Sequence, residues 1–277
     1  MELTYKIIDT ILPFEWLSTS FMKNAFIAIL FTGLLFGLFG SMVVNNKMAF
    51  FSEALGHSAL TGIALGVIFS MEELTSMIIF GIIFAIGIWW IEKKNSISTD
   101  TIIGVFSSTA IALGIVLLSL GNEFSSYSSF LIGDILLVKP SEILLLIITS
   151  VISIVIWSIL FNKMVLGGMN PTLAKSRNVK VDLMKVIFTI ILAVIVMISI
   201  KWVGLMIINS LLILPAATAR NVSRNLRQYT LLSVLFSIVA SIAGLVISYY
   251  LEISTGATIV LVSAVMFFVT MIFRSEK

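Results

Sequence analysis

Two ionisable side chains interrupt one of the most apolar stretches of this sequence. Glu53 and His57 stand in the segment FFSEALGHSALTG, and His57 is the only histidine among the 277 residues. Residues four apart lie on one face of a helix, about one turn from each other. A carboxylate oxygen and an imidazole nitrogen in that arrangement can both reach one divalent cation. The pair is therefore a candidate site for a metal ion or a proton.

The same pair also has a purely structural interpretation, because a glutamate hydrogen-bonded to a histidine can simply help two helices to pack. The ligand count is informative. With one histidine and no cysteine, one copy of the chain supplies only two side-chain ligands here, whereas closed zinc sites take four and manganese accepts more oxygen and water ligands. A two-fold dimer would supply two of each residue, or a permeation path would keep an incomplete shell from which the ion can leave.

Composition indicates an integral membrane protein. The chain is 59% hydrophobic and 11% charged, with a mean hydropathy of +1.15, whereas soluble domains are about 45–50% apolar and roughly 25% charged. Continuous apolar runs, each long enough to cross about 30 Å of hydrocarbon as a helix, follow one another with no room for a soluble domain. Ionisable groups in such segments usually point into a bundle or cavity. We expect an all-α polytopic membrane protein with a single transmembrane domain over residues 1–277.

The first 22 residues read as an amphipathic lead-in at the membrane surface rather than a cleaved signal peptide. The number of spans is eight or nine. The connection around IKWVG, between the sixth and seventh spans, is very short, and the stretch LIGDILLV could enter the membrane without crossing it. The nine candidate spans are 24–44, 50–69, 75–91, 101–120, 142–161, 184–200, 203–219, 230–250 and 257–273.

Basic residues alternate with glutamate-containing connections along the chain. Lysine and arginine concentrate at Lys47, Lys93, Lys94, the segments 163–185 and 220–227, Arg274 and Lys277, whereas SMEEL, GNEFSSYSS and LEIST hold no basic residue. The positive-inside rule then places the N-terminus outside and the C-terminus in the cytoplasm. The orientation of the protein in the membrane is by itself enough to explain positive charge on these loops. However, NPTLAKSRNVKVD and ARNVSRNLRQYT are also short and polar, as surfaces that dock a cytoplasmic partner would be.

Other polar and small residues in the spans are weaker signals. Asn209 is expected to hydrogen-bond a neighbouring helix more readily than to bind an ion, and Asp134 to lie in a loop or cap. Pro215 is expected to bend or break the seventh span. The GxxxG patterns GLLFG (33–37) and GIALG (62–66) predict close helix packing in the first two spans.

Signatures of an enzyme are absent from the sequence. There is no G-x-x-x-x-G-K-[ST], so the chain does not hold ATP phosphates by a P-loop. No nucleophile elbow or H-E-x-x-H occurs either. The chain is not expected to be an enzyme or to hold a tightly bound cofactor, and any ATP would be hydrolysed on a separate subunit.

Several segments together resemble a known family. SEALGHSALTGIALG resembles the D-x-x-S-H-A-x-x-P-G-x-A segment of the membrane permeases of ABC-type zinc and manganese importers. IGVFSSTAIALGIVLLS, FLIGDILLV and TGATIVL are similar to further motifs of that family, and GLMIINSLLILPAATAR resembles its G-x-L-L-V-x-A-L-L-x-L-P-A-A-T-A segment. The matches follow the family's order from about residue 25 to 270.

The resemblance implies the fold of a type II ABC importer with 8–9 transmembrane helices, in a bacterial cell membrane. It implies a homodimer joined to two cytoplasmic ATP-binding subunits and an extracellular metal-binding protein, which is a lipoprotein in Gram-positive cells. It carries a metal role to Glu53 and His57. It also implies that residues 219–229 dock on the ATPase, with 170–179 as a neighbouring contact inside the broader basic segment 163–183.

The sequence departs from the family pattern near the pair. Glu53 replaces the usual aspartate, Gly56 a serine, Ser58 an alanine and Thr61 the proline of the manganese-type motif, while Asn209 replaces a small residue. A glutamate is longer than an aspartate by one methylene, which affects the geometry of the site and its preferred metal. The fold and the class of transporter are unaffected.

The expected function is that of the permease subunit of an ATP-driven importer of zinc or manganese, with no nucleic-acid partner. Because its ligands must lose protons to bind a metal, uptake is expected to fall in acid. One alternative is a proton-coupled or passive transporter in which Glu53 and His57 relay protons without an ATPase. Another is a structural membrane scaffold, in which changing the pair affects folding but no flux.

Overall fold

The computed structural model of the chain describes residues 5–6, 9–10, 13–94, 97–120, 135–169, 171–177 and 179–272. Within these ranges the regular structure is helical and no strand occurs. Short 3-10 turns lie at Glu15–Leu17 and Ile135–Leu137. The α-helices are α1 (Ser20–Asn45), α2 (Ala49–Ile68), α3 (Glu73–Lys94), α4 (Thr99–Leu120), α5 (Pro140–Met169), α6 (Pro171–Ser176), α7 (Val181–Val203), α8 (Leu205–Val222), α9 (Leu226–Leu251) and α10 (Thr255–Ile272).

The long helices confirm the all-α membrane fold, because lipid offers no partner for peptide groups outside a helix or a closed barrel. Eight helices in the described part of the chain are long and apolar enough to cross a membrane, and α8 contributes a shorter apolar stretch, Ile207–Val222. These nine helices overlap the nine predicted spans. Asp134, expected in a loop or cap, lies outside the described residues.

The helix is interrupted at Gly204 but not at Pro215. Gly204 alone separates α7 from α8, with φ at 79°, a left-handed conformation that glycine adopts without steric strain. Pro215 lies inside α8, which continues to Val222, so of the two predicted effects, a bend or a break, the break does not occur. A proline removes only one backbone hydrogen bond of a helix, and α8 is helical on both sides of it.

The described residues fall into two compact units. The first comprises Met1–Ser41, Gly133–Val151 and Trp202–Lys277, and the second comprises Met42–Ile132 and Ile152–Lys201. The first unit therefore holds most of α1 together with α8, α9 and α10. The second holds α2, α3, α4 and nearly all of α7.

Small residues bring the helices of the first unit into close contact. A Cβ built on Gly37 would lie 2.6 Å from the Cα of Val234, and the Ser233 hydroxyl donates to the Gly37 carbonyl at 2.7 Å. Gly33 faces Ile238 of α9 in the same way. These contacts confirm the close packing predicted from GLLFG.

A buried ammonium lies near the start of α1. Lys23 is only 7% exposed, and its Nζ lies 2.6 Å from Oδ1 of Asp9 in the N-terminal segment. The neighbouring Asn24 accepts a hydrogen bond from the Tyr5 hydroxyl and donates to the Val138 carbonyl at 3.3 Å. Because a buried charge needs a partner, the N-terminal segment supplies part of the stability of this end of α1.

Candidate functional site

Helix α2 carries the ionisable pair. The turn before it places Lys47 at φ 57°, and the helix begins at Ala49, so Glu53 and His57 occupy its second and third turns. Oε1 of Glu53 lies 3.7 Å from Nε2 of His57, and the side chains are 49% and 27% exposed, respectively. The structure thus brings the two predicted residues onto one exposed face of the helix.

The pair makes few competing interactions. A separation of 3.7 Å is too long for a hydrogen bond, so the contact is an ion pair only when the imidazole is protonated. No hydrogen bond joins either side chain to another residue in the described ranges. With a neutral imidazole, the carboxylate and the ring nitrogen both keep lone pairs that a cation can use.

The opposite face of α2 is fixed by α3. A Cβ on Gly62 would lie 2.7 Å from the Cα of Met77, which leaves no room for a side chain, and Gly66 faces Ser76. The Ser76 hydroxyl donates to the Gly62 carbonyl at 2.6 Å. These contacts confirm the packing predicted from GIALG and anchor the backbone that carries the pair.

Helix α4 fixes α2 from a second direction. A Cβ on Gly114 would lie 2.9 Å from the Thr61 nitrogen and 3.1 Å from the Leu60 carbonyl carbon, and the Thr61 hydroxyl donates to the Ala110 carbonyl. Thr61 stands where the resembled manganese-type motif has proline. It therefore holds two helices together with a hydroxyl that proline lacks.

A cavity of about 370 Å³ lies beside Glu53, between α2 and α4. Asp100, at the start of α4, contributes a second carboxylate to its lining, and Ser107 and Ser108 contribute hydroxyl groups. Asp100 is not among the predicted site residues. Its only signal in the sequence is that of an acidic residue in the first turn of a helix, a position that acids often occupy for helix stability alone.

The described residues contain no group of three or more histidine, cysteine or acidic side chains that could hold a metal ion. Within the described residues the pair therefore offers two side-chain groups that could bind a cation, one carboxylate and one imidazole. Asn209 belongs to the first unit, whereas Glu53 and His57 belong to the second. Oδ1 of Asn209 is buried and has no hydrogen-bond partner among the residues that the structure describes.

The basic connection between α8 and α9 is a structured turn. The Asn225 side chain caps α9 by accepting from the Gln228 backbone at 2.8 Å, and the Gln228 side chain accepts from the Arg224 backbone at 2.9 Å. Arg220, Arg224 and Arg227 are exposed around this turn. The geometry presents positive charge on a hydrogen-bonded turn.

Comparisons with known proteins agree with one another. The model of the ABC 3 transport family matches residues 18–274. The chain is 29% identical over 258 residues to the manganese transport system membrane protein MntC of Listeria monocytogenes, covering 93% of this chain and 92% of that protein. It is 31% identical over 258 residues to the high-affinity zinc uptake system membrane protein ZnuB of Haemophilus influenzae, covering 90% and 98%.

A solved structure gives the same result at the level of the fold. PsaBC from Streptococcus pneumoniae, in complex with Fab, superposes with a TM-score of 0.80 at 27% identity. The match covers 98% of this chain and 95% of that chain. Similarity of this extent spans all the helices described above.

Proposed function

Because this chain belongs to the ABC 3 transport family, we propose that it is the membrane-spanning permease subunit of an ATP-driven importer of zinc or manganese. Relatives named for manganese transport and for zinc uptake match it along nearly their whole length. The permease character and the transmembrane helices of the chain agree with this class.

The observation that carries the proposed path is the exposed face of α2. Glu53 and His57 are 49% and 27% exposed in the single chain, although they lie in a helix apolar enough to cross a membrane. A charged side chain at the bilayer centre costs at least about 2.5–3.5 kcal/mol. A second copy of the chain, covering this face and enclosing a hydrated path, would keep the pair away from lipid and supply two more ligands.

The proposed transport step uses the pair as a transient binding position. An extracellular metal-binding protein, a lipoprotein in Gram-positive cells, delivers the ion, which passes between the two α2 helices of the homodimer. The deprotonated carboxylate and the neutral imidazole each donate a lone pair to it. Few ligands per chain keep the affinity low enough for release. The cavity with Asp100, Ser107 and Ser108 offers the next oxygen atoms on the way to the cytoplasm.

In this proposal, ATP is bound and hydrolysed by partner subunits. The basic segments 163–183 and 219–229 of the single permease domain provide the contacts with the ATPase, the first of them through residues 170–179. The capped turn at Asn225 supports the second contact, because its hydrogen bonds join the loop directly to the start of α9. Binding and hydrolysis of ATP then switch access to the pair from outside to inside.

The test is uptake of radiolabelled zinc and manganese into proteoliposomes that contain the chain, its ATPase and its binding protein. We expect Glu53→Ala and His57→Ala to abolish ATP-dependent uptake at matched levels of assembled protein. Glu72→Ala is the control, because it removes an exposed carboxylate from the connection between α2 and α3, away from the pair. Undiminished uptake in both variants would show that the pair only packs helices.

The same proteoliposomes distinguish an ATP-driven importer from a proton-coupled transporter. Uptake that continues without ATP and follows an imposed proton gradient would support a proton relay through Glu53 and His57. Uptake that stops when ATP is replaced by a non-hydrolysable analogue supports the ABC mechanism. Normal uptake by the wild type, with loss only of folding in the variants, would indicate a structural role for the pair.

A further inference from the structure

A second cavity lies well away from the ionisable pair, between the end of α3 and the start of α7. Its volume is about 620 Å³. It is lined by Trp89 and Lys93 of α3 and by residues 179–183 and 186 at the start of α7. We call it the α3–α7 cleft. By the positive-inside rule, Lys93 and Lys94 place this end of α3 on the cytoplasmic side.

Positive charge predominates at the cleft. Lys93 and Lys180 line it with a single acid, Asp182, whose carboxylate lies 3.1 Å from the Lys93 Nζ. Lys180 is exposed and forms no ion pair with any residue in the described ranges. It immediately precedes α7, whose N-terminal end adds a positive partial charge. The cleft is therefore suited to a group with more than one negative oxygen.

The cleft also has the features of a membrane–water boundary. Trp89 and Trp90 lie at the end of α3, where the Lys93 Nζ is 5.2 Å from the Trp89 ring centroid and the Lys94 Nζ is 4.0 Å from that of Trp90. Tryptophan is enriched at headgroup level, and lysines near helix ends extend towards it.

An apolar surface leads from the bilayer into this boundary. The exposed side chains on one stripe of α3 are Ile79, Ile83, Ile86 and Trp90. Leu183, exposed on α7, lines the cleft itself. Acyl chains can lie along such a stripe while the charged end of the same molecule reaches the lysines.

From this combination we propose that the α3–α7 cleft binds the headgroup of an anionic phospholipid. The phosphate accepts from Lys93 and Lys180, the tryptophan rings lie beside the glycerol backbone, and the acyl chains cover the α3 stripe. Basic pockets between membrane helices on the cytoplasmic side bind headgroups in this way. The apolar half of the cleft favours a lipid over free phosphate, which has nothing to place there.

The experiment measures lipid binding to the purified full chain in a neutral detergent. Native mass spectrometry counts retained dioleoyl phosphatidylglycerol and dioleoyl phosphatidylcholine at equal concentrations, and inorganic phosphate is added in a separate arm. We expect a preference for phosphatidylglycerol that the double variant Lys93→Gln/Lys180→Gln weakens about 30-fold, or about fivefold for each lysine. Lys139→Gln, which removes an exposed lysine outside the cleft, should leave the preference unchanged.

Three results would overturn the proposal. These are equal retention of the two lipids by the wild type, displacement of phosphatidylglycerol by an equal concentration of inorganic phosphate, and an unchanged preference in the double variant. If the double variant fails to fold, Lys180→Gln alone carries the test, because this exposed lysine has no ion pair to lose among the described residues. A loss of ATPase assembly with unchanged lipid binding would assign the cleft to a protein partner instead.

Discussion

Oε1 of Glu53 lies 3.7 Å from Nε2 of His57, one turn further along α2. The pair predicts different outcomes for two substitutions of the acid. Glu53→Asp keeps the carboxylate and should retain metal uptake, although with a changed ratio of zinc to manganese. Glu53→Gln removes the charge at nearly the same shape and should lower uptake at least about tenfold, because an amide is a weaker metal ligand.

Both variants are measured by initial rates of labelled metal uptake, with the ATPase activity of the assembled complex as the control. The ATPase activity should persist without metal in each variant. Equal uptake by the glutamine and aspartate variants would contradict a ligand role for the carboxylate.

Metal uptake should depend on pH in a defined direction. A protonated imidazole has no lone pair for a metal, so metal binding to His57 requires the loss of a proton. Uptake should therefore fall as the pH is lowered. The measurement is the initial uptake rate at constant free metal, with ATP hydrolysis recorded in parallel. A rate that rises in acid would instead favour coupling to protons.

Two glycines of α4 provide a matched pair for testing the packing beneath the site. Gly114→Ala places a Cβ 2.9 Å from the Thr61 nitrogen, so the α2 and α4 backbones must separate. We expect a loss of about 1–3 kcal/mol in stability, as for other overpacked sites. A Cβ on Gly104 meets nothing within 4 Å. Thermal unfolding in detergent should show Gly104→Ala at or slightly above wild-type stability, and equal destabilisation by both would contradict this packing.

Asp100 should influence uptake without being indispensable. Its carboxylate lines the same cavity as Glu53, so Asp100→Asn lowers the attraction of the cavity for a cation. We expect uptake to fall roughly threefold, as for a partly exposed charge contributing up to about 1 kcal/mol. Glu73→Gln is the matched control, since it also removes an acid from the first turn of a helix, α3, at a position that does not line this cavity. Similar losses in both would show that only helix stability is involved.

Much of the architecture could be predicted because each membrane helix corresponds to a long apolar run in the sequence. Each predicted span falls on a helix, and Gly33, Gly37, Gly62 and Gly66 pack as expected. The predicted ends of the helices are less accurate than their positions. The span at 142–161 belongs to α5, which continues to Met169. Hydropathy reports contact with lipid, whereas a helix continues into water as long as its backbone bonds are satisfied.

The site was predictable only in part. Glu53 and His57 stand out because they are ionisable residues at helical spacing on an apolar background. Asp100 lies before its apolar run, and nothing local shows that α4 packs beside α2. That adjacency depends on the contact of Gly114 with Thr61, residues 53 positions apart in the chain. The fit of this contact is a property of the folded bundle.

The buried ammonium of Lys23 has a practical consequence for handling the protein. Its counter-ion, Asp9, comes from the segment that precedes α1. Shortened versions that start at α1 would leave the lysine unmatched within an apolar bundle, and bulky fusions at the N-terminus would compete with the same contact. Affinity tags and fluorescent reporters therefore belong at the C-terminal end, and yields of N-terminally trimmed versions should improve when Lys23 is replaced by methionine.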